Sequence, residues 1–371
     1  MIQKITLKNF RNHDTLILDI KKPFVYIHGE NGAGKTSVLE SVYFCSTTKS
    51  HRTSDEKELI KKEQPFAQVV IKDDDQIYEV VISKFGKRTK INHVEKRKIS
   101  EFVGHLNVVM FAPNDLELIK GSPSQRRNFM DFELLQVDKR YLHDLNQYKQ
   151  ILKQRNSLLK KVDIKDDYTF LNILGDQLYE VGVKLIEQRS KFINELNELF
   201  IKNYKKFSMH DVNLVYKPDL DIKNFKKHLD KQQKQDILYQ TTLAGPHRDD
   251  FFIGFKGFDS KSYASQGETR LIVIALKLAL LDWIESKTNR KVVLLLDDVL
   301  SELDQEKQQI FLKSLPKQHQ IIMNSVMPIE MEHIQMIELI KERKHVKLWC
   351  IEYSNIRRIR SCKKASRYVY W

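Results

Sequence analysis

The string Gly29-Glu-Asn-Gly-Ala-Gly-Lys-Thr36 says most about the architecture of this chain. It matches the phosphate-loop pattern G-x-x-x-x-G-K-[ST] at every fixed position. A short apolar segment, residues 24–28, precedes it, and residues 37–43 have the composition of a helix. A strand, a glycine-rich turn and a helix in this order form the backbone that holds a nucleotide phosphate. The sequence therefore predicts a nucleotide site at residues 29–36.

Each position of this loop has a physical task. The glycines let the backbone curl so that its amides point at the phosphates. Lys35 would place a positive charge on the β- and γ-phosphates, and Thr36 would offer its hydroxyl to Mg²⁺. The predicted nucleotide-binding residues of this half are Gly29, Glu30, Asn31, Gly32, Ala33, Gly34, Lys35, Thr36 and Ser37.

A second string, Val292-Val-Leu-Leu-Leu-Asp297-Asp298, places two carboxylates after a continuous apolar run. Such a run predicts a central parallel strand buried on both faces. Asp297 would then emerge at the carboxyl end of the strand, where open α/β sheets bind ligands, and would hold Mg²⁺ together with Thr36. Asp298, one residue on, is the candidate general base for an attacking water. Adjacent carboxylates on a loop are more often only solvated, but the phosphate loop favours these two roles.

A third string, Ser265-Gln-Gly-Glu268, opens an apolar helical stretch over residues 271–284. Its spacing is that of a capping box, so an ordinary helix start is one interpretation. The other interpretation is that the helix N-terminus binds the γ-phosphate of ATP held by a second copy of the chain. The order of the three strings, with Ser301-Glu-Leu-Asp304 after the last, favours the second. The predicted residues of this half are Ser265, Gln266, Gly267 and Glu268.

The rest of the chain divides into four expected parts. Two strands at residues 5–10 and 15–20 are predicted to form a hairpin, and further strands are expected at 67–71, 77–82, 108–111, 211–216 and 250–255. Residues 124–207 carry apolar side chains at helical spacing, which predicts a lobe of about three long amphipathic helices. We expect an ATPase head in two parts, at residues 1–120 and 211–330, with the helical arm lobe between them at 121–210. A divergent basic tail is expected at 331–371.

Charge and composition limit the class of protein. The formal net charge of +14 favours a polyanionic partner such as nucleic acid, although a solvated basic face is the alternative. Residues 341–371 hold ten Lys or Arg and two Glu, a net charge of +8. No apolar run reaches the roughly 18 residues that span a bilayer, so we expect a cytoplasmic protein without a membrane partner. Cys45, Cys350 and Cys362 form no C-x-x-C pair, so neither a structural zinc nor a disulfide framework is expected.

The arrangement resembles the ABC-type ATPase head and, more narrowly, the RecF family of bacterial recombinational repair. The resemblance covers about residues 1–320. Beyond the phosphate loop and the acidic strand end, it rests on Asn9-Phe-Arg-Asn12, Lys49-Ser-His-Arg-Thr53, Gly104-His-Leu-Asn-Val-Val109, Lys120-Gly-Ser-Pro-Ser-Gln-Arg-Arg127 and Gly245-Pro-His-Arg-Asp-Asp250. The last two strings are not general ABC features. The resemblance implies an α/β fold, an ABC-type ATPase head with mixed β-sheets and an inserted α-helical arm lobe.

The resemblance also implies a function. A family member would bind ATP and Mg²⁺, form an ATP-dependent homodimer, bind double-stranded and gapped DNA, and hydrolyse ATP slowly, with stimulation by DNA. With RecR and RecO proteins it would support recombinase loading, repair, replication and the SOS response to DNA damage. His51, Arg52, His247 and Arg248 lie in family-typical strings and are expected to serve the architecture of the site or signalling between domains.

Two departures and two alternatives qualify this expectation. Transporter-type heads carry Glu after the strand-end Asp, whereas Asp298 here is the RecF-like choice. Gln320-Ile-Ile-Met-Asn-Ser-Val326 stands where the family has a Thr-rich turn, and residues 349–371 resemble no family segment.

The ATPase subunit of an ABC transporter is one alternative, although a shorter insertion is typical of it. Another SMC-like head is the other, with only a short arm because 262 positions separate Lys35 from Asp297.

Overall fold

The computed structural model describes residues 1–162, 167–302, 304–326, 332–340 and 347–349. The strands of this part are β1 (Lys4–Phe10), β2 (His13–Asp19), β3 (Phe24–Gly29), β4 (Phe66–Lys72), β5 (Ile77–Ser83), β6 (Gly86–Ile91), β7 (Val94–Lys96), β8 (Val108–Phe111), β9 (Val212–Lys217), β10 (Asp250–Phe255), β11 (Phe258–Asp259), β12 (Val293–Asp297), β13 (Gln320–Asn324), β14 (Gln335–Leu339) and β15 (Lys347–Trp349). The helices are α1 (Lys35–Thr47), α2 (Glu117–Lys120), α3 (Pro123–Val137), α4 (Lys139–Leu159), α5 (Thr169–Tyr204), α6 (Phe225–Tyr239), α7 (Ser260–Tyr263), α8 (Gln266–Thr288) and α9 (Gln305–Ser314).

The central sheet carries the nucleotide-site strings. Its strand order is β15-β14-β3-β13-β12-β8, and the strands from β14 to β8 run parallel. All five residues of β12 and all five of β13 are buried, as expected for strands covered on both faces. The register sets Asp297 beside Asn324, and Asn324 beside Ile27 near the end of β3. The carboxyl ends of three parallel strands therefore meet next to the phosphate loop.

A second, antiparallel sheet lies on the other side of α1. Its order is β2-β1-β4-β5-β6-β7, and buried residues alternate along β4 and β5 as in a sheet with one covered face. Val38, Leu39 and Val42 of α1 share one apolar core with this sheet and with Val25 of β3. The expected hairpin of β1 and β2 is confirmed. Strands β6 and β7 were not predicted, because charged residues interrupt the apolar alternation in both.

The helical lobe contains the three expected helices, α3, α4 and α5. Phe192 of α5 meets Trp283 of α8 with ring centroids 4.6 Å apart, so the lobe packs directly on the helix that follows the third string. Helix α6 also packs on α5, through Phe225 and Leu229 against Ile186. The sequence analysis did not foresee α6, which lies beyond the expected lobe boundary at residue 210.

The expected basic tail begins inside the central sheet. Strand β14 pairs in parallel with β3 from Gln335 opposite Val25 to Leu339 opposite Gly29. This strand lies within the range assigned to the tail, 331–371, so the sheet of the head continues past residue 330. Residues 341–346 and 350–371 lie outside the described residues, and with them most of the net charge of +8, Cys350 and Cys362. Cys45 is buried and free within α1.

Candidate functional site

The phosphate loop has the backbone that its glycines permit. Gly29, Gly32 and Gly34 have φ angles of 146°, 82° and 93°, values that favour glycine. A Cβ on Gly29 would lie 2.2 Å from the Leu339 carbonyl oxygen of β14, so this position has no room for a side chain. The Lys35 ammonium donates to the carbonyl oxygens of Gly29 at 2.7 Å and Glu30 at 2.9 Å. The loop thus curls around its own lysine at the start of α1.

The acidic strand end is joined to the loop by direct hydrogen bonds. The Thr36 hydroxyl donates to Asp297 Oδ1 at 2.9 Å, and Asp297 is buried. Asn324 donates from Nδ2 to the same oxygen at 2.7 Å and accepts from the backbone N–H of Asp298 at 2.7 Å. One buried amide therefore holds both acidic residues. Asn324 was not predicted from the sequence, because its only cue was a polar residue ending a short apolar run.

Asp298 occupies a constrained turn beside this amide. Its φ of 51° lies in the left-handed region, which Asp tolerates better than most residues. The Ser325 hydroxyl lies 3.4 Å from Asp298 Oδ1, and the Ser301 hydroxyl donates to the Asp298 carbonyl at 2.9 Å. Asp298 also lines the nucleotide cleft. The turn therefore fixes the direction in which this carboxylate leaves the strand.

The charges of the loop and the acidic pair act on each other. Burial lowers the pKa of Lys35 below its ordinary value, while the neighbouring carboxylates of Asp298 and Asp297 act in the opposite direction. A bound phosphate can balance the charge of Lys35, and a bound metal cation can balance the charges of Asp297 and Asp298. The lysine and both carboxylates thus belong to one electrostatic unit.

The donor set fits Mg²⁺. Thr36 Oγ1 and Asp297 Oδ1 are oxygen atoms of the kind that Mg²⁺ prefers as ligands, and they lie 2.9 Å apart. Mg²⁺ is commonly held by one or two such protein groups together with phosphates and water. Within the described ranges, no group of three or more His, Cys, Asp or Glu could hold a metal alone. These two residues therefore suit a metal that arrives with a nucleotide.

The turn between β1 and β2 packs against the phosphate loop. Asn12 Nδ2 donates to the Gly32 carbonyl at 3.3 Å, and His13 Nε2 lies 3.2 Å from the Gly34 carbonyl. A Cβ on Gly34 would come within 2.3 Å of that imidazole nitrogen. Burial lowers the pKa of His13, which favours the neutral ring. The Asn9-Phe-Arg-Asn12 string therefore contributes to one wall of the cleft.

A buried carboxylate, Glu40 of α1, holds two arginines that line the same cleft, Arg11 and Arg52. Arg11 donates to it twice, at 2.9 and 2.7 Å, Ser50 donates at 2.6 Å, and Arg52 lies at 3.4 Å. Burial acts to raise the pKa of Glu40, but the hydrogen bonds from Arg11 and Ser50 outweigh it and the pKa lies below its ordinary value. This residue was not foreseen, because a single Glu inside a helix carries no pattern of its own.

These parts enclose an open cleft around the phosphate loop. Arg52 lines it, so one residue of the Lys49–Thr53 string belongs to the site, whereas His51 is largely buried against Tyr43 with ring centroids 5.6 Å apart. The described side chains and backbone that line the cleft are Arg11, Asn12, Asn31, Gly32, Gly34, Lys35, Thr36, Ser37, Arg52, Glu58, Ile60, Lys62, Asp298, Asn324 and Val326.

The third string lies elsewhere. Ser265 caps α8: its hydroxyl accepts from the Glu268 N–H at 3.3 Å, and its own N–H donates to Glu268 Oε2 at 2.8 Å. The capping-box interpretation is therefore confirmed. Ser265 and Gln266 are nevertheless exposed, and among the described residues that line the cleft none comes from 265–268. The exposed helix end is therefore available to another molecule.

The two strings that are not general ABC features meet at the junction of the helical lobe with β10. Arg126 donates to both carboxylate oxygens of Asp250, at 2.6 and 3.0 Å, and Arg127 donates to the Asp249 carbonyl at 2.9 Å. Asp249 also accepts from the buried Arg189 of α5 at 2.9 Å. His247 bridges the Tyr148 hydroxyl and the Thr242 carbonyl, at 2.8 and 3.1 Å. His247 thus lies in a structural junction, and it is absent from the described lining of the cleft.

Comparison with known proteins places this arrangement in a family. The family model described as the RecF/RecN/SMC N terminal domain matches residues 1–347. The "DNA replication and repair protein RecF" of Acholeplasma laidlawii is 54% identical over 329 residues, which cover 89% of this chain and 94% of the relative. The protein of the same name from Bacillus subtilis is 40% identical over 332 residues, covering 85% and 90%. The chain belongs to the RecF family.

Solved structures agree with the RecF family assignment. One described as the recombination mediator protein RecF with ATP in the RecFOR pathway has a TM-score of 0.85 at 31% identity, covering 94% of this chain and 97% of the other. An Smc head domain from Pyrococcus furiosus has a TM-score of 0.54 at 18% identity, covering 94% and 96%, and supports the fold alone. The expected ABC/SMC-type ATPase head is confirmed, and the transporter subunit is set aside. No helix among the described residues has the length and apolar character to cross a membrane.

Proposed function

We propose that this chain is an ATP-dependent DNA-binding switch of DNA repair and replication, which dimerises on ATP and hydrolyses it slowly. The observation that carries the proposal is the hydrogen-bonded series from Thr36 through Asp297 and Asn324 to Asp298. This series joins the phosphate loop to the acidic strand end within one chain. It supplies the groups for phosphate, metal and water in adjacent positions.

The chemistry follows from the groups in place. Lys35 and the loop amides bind the β- and γ-phosphates of ATP, and Gly29 to Ser37 form the cradle. Thr36 and Asp297 would hold Mg²⁺, which neutralises phosphate charge when bound. Asp298 accepts the proton of the attacking water as the oxygen of that water bonds to the γ-phosphorus and the bond to ADP breaks. The products are ADP and phosphate.

Slow turnover is consistent with the geometry of Asp298. Its carboxylate is one methylene shorter than a glutamate, and the Asn324 amide restricts the turn that carries it. A short base held in one direction reaches water over a narrow range of positions. Hydrolysis would then act as a timer on the bound state and would release the dimer after a delay.

The second half of the site comes from a second copy in this proposal. The exposed N-terminus of α8 offers the positive end of its helix dipole to an anion. Ser265, Gln266, Gly267 and Glu268 would engage the γ-phosphate held by the other copy, while ADP lacks that phosphate. ATP would therefore bridge two chains and ADP would not.

The cellular role is proposed from the relatives. They are described as DNA replication and repair proteins, and a structural neighbour as part of the RecFOR pathway. We propose that this chain binds double-stranded and gapped DNA in the cytoplasm and supports recombinase loading with RecR and RecO proteins, and so the SOS response. The net charge of +14 supports a polyanionic partner.

Mass measurement by sedimentation tests the switch, with ATP, ADP and duplex DNA added in turn. We expect monomers with ADP, dimers with ATP, and a rate of ATP hydrolysis that rises when duplex DNA is added. Equal association in ATP and ADP would contradict the composite site. A rate of ATP hydrolysis that does not change when duplex DNA is added would contradict the DNA-dependent role. It would not affect the assignment of the ATP site.

A further inference from the structure

The edge of the antiparallel sheet concentrates positive charge. Residues 84–98, which include β6 and β7, hold seven Lys or Arg and one Glu, a net charge of +6. We call this segment the basic edge. Within it Lys84, Arg88, Arg97 and Lys98 are exposed. The segment supplies a large share of the total net charge of +14 from fifteen residues.

Three of these seven cations form an ion pair within the described part of the protein, and the shortest is that of Lys87 with Glu56 at 2.6 Å. Lys90 pairs with Glu79 at 3.5 Å, and Arg88 reaches Glu95 only at 4.0 Å, with both side chains exposed. Lys84, Arg97 and Lys98 form no ion pair with another described residue. Because β7 is antiparallel to β6, the chain after Lys96 runs back toward the β5–β6 turn. The unpaired cations therefore gather at that end of the sheet.

The β5–β6 turn itself ends in an exposed aromatic ring. Ser83 pairs with Gly86, so Lys84 and Phe85 form the loop, and Phe85 is 89% exposed. The Lys84 ammonium lies 5.0 Å from the centre of the Phe85 ring. Lysines on an edge strand also prevent pairing with other sheets, but that role does not require an exposed phenylalanine at the tip. The combination of the two features needs a different explanation.

The basic edge is fixed to the element that carries the phosphate loop. Lys87 Nζ donates to the carbonyl of Thr48, which caps the end of α1, at 2.7 Å, and to Glu56 at 2.6 Å. Helix α1 begins at Lys35. Anything bound along the edge therefore rests on the nucleotide-binding part of the head and not on the helical lobe.

We propose that the basic edge is a binding surface for the backbone of duplex DNA, with Phe85 entering the minor groove. Unpaired cations along one edge suit phosphates, and an apolar side chain among cations is a composition found in minor-groove binders. Single-stranded nucleic acid is usually held on several aromatic platforms in series, whereas Phe85 is the one exposed Phe, Tyr or Trp in residues 84–98. The inference rests on the proposed DNA-binding function and assigns it a location.

Duplex binding by variants of the full chain tests this surface. One variant carries Lys84→Gln, Arg97→Gln and Lys98→Gln. Its matched control carries Lys227→Gln, Lys231→Gln and Lys234→Gln on α6, where three exposed lysines likewise form no ion pair with a described residue. The two variants lose the same charge, and both keep residues 341–371 unchanged. ATP affinity and hydrolysis without DNA should match the parent in both.

The expected result separates a specific edge from net charge. The edge variant should lose at least about tenfold in duplex affinity at ~0.1 M salt, and its salt dependence should flatten by about two to three units of slope. The α6 control should stay near the parent. Phe85→Ala should weaken binding severalfold with the slope unchanged, because it removes no charge.

Other outcomes overturn the inference in distinguishable ways. Equal losses of duplex affinity in the edge variant and the α6 control would show that net charge alone matters. The basic edge would then not be a specific DNA-binding surface, while DNA binding by the chain would stand. If the edge variant lost more affinity for single-stranded DNA than for duplex DNA, the basic edge would be a site for single strands and the proposal of duplex binding would be wrong. A parent chain that fails to bind duplex would overturn the proposed DNA function, and the edge with it.

Discussion

The two halves of the proposed ATP site differ in how much of their geometry exists within one chain. In the phosphate-loop half, Lys35, Asp297 and Asn324 are buried and have hydrogen bonds of 2.7 to 2.9 Å inside the chain. The half at the start of α8 is held by its capping box and by an ion pair from Lys256 to Glu268 at 3.3 Å, and Ser265 is exposed. One half is thus preorganised for a ligand, while the other is completed only by contact with a partner. Changes in the first should affect binding and chemistry, and changes in the second should affect association.

The largest effect is expected from Lys35→Ala. This change removes the buried cation of the loop, so ATP affinity should fall by at least about 100-fold, and dimerisation and hydrolysis should fall with it. Equilibrium titration with a fluorescent ATP analogue measures the loss. Lys62→Ala, at the rim of the same cleft, serves as the control and should have a much smaller effect. Unchanged affinity in the Lys35 variant would show that the phosphate loop is wrongly assigned.

Asp298→Asn separates chemistry from binding within the first half. The amide keeps the shape of the side chain but cannot accept the proton, so hydrolysis should slow by about 100-fold while ATP affinity stays near the parent. Steady-state release of phosphate, with ATP affinity measured in parallel, gives both numbers. Glu306→Gln, an exposed acid on α9, is the control. A parent-like rate in Asp298→Asn would exclude it as the base.

Ser265→Arg tests the second half. A bulky side chain at the exposed helix end should weaken ATP-driven dimers by at least about tenfold, because it blocks the anion site, yet leave ATP affinity of the monomer nearly unchanged. Sedimentation in ATP measures the association. Ser265→Thr keeps the cap and should dimerise like the parent. If the Arg variant dimerises normally, Ser265 is only a helix cap.

The smallest effect is expected from Asn324→Ala. The backbone N–H of Asp298 and the Asp297 carboxylate each lose one partner, so hydrolysis should fall by about three- to tenfold with ATP affinity preserved. The same rate assay checks it, with Asn324→Ser as a shorter polar control. A rate equal to that of the parent would show that the two carboxylates need no such support.

Local patterns in the sequence predicted the parts of the site that depend on neighbours in the chain. The phosphate loop and Asp297 follow from strings of a few residues, because one strand and one turn position them. Asn324 and Glu40 could not be predicted in this way. Their partners lie 27 and 29 residues away along the chain, at Asp297 and Arg11, and only strand register and helix packing bring them together.

The fold shows the same division. The apolar run of β12 indicated a buried parallel strand, and the short apolar segment before the phosphate loop indicated the strand β3; both are present in the central sheet. Strands β6 and β7 lie at an exposed edge, where charged residues remove the alternation that marks a strand. Helix α6 is similarly polar, and only Phe225, Leu229, Asp236 and Ile237 of its residues are buried. Elements with few buried residues carry the weakest local pattern.

A mixture of two defective chains tests the composite site most directly. Lys35→Ala has an intact α8 start, and Ser265→Arg has an intact phosphate loop, so a mixed dimer holds one complete site made from both. The measurement is ATP hydrolysis by each variant alone and by the two together at the same total concentration. We predict that the mixture hydrolyses ATP well above the rate of either variant alone. A mixture as inactive as its two components would contradict a site shared between two chains.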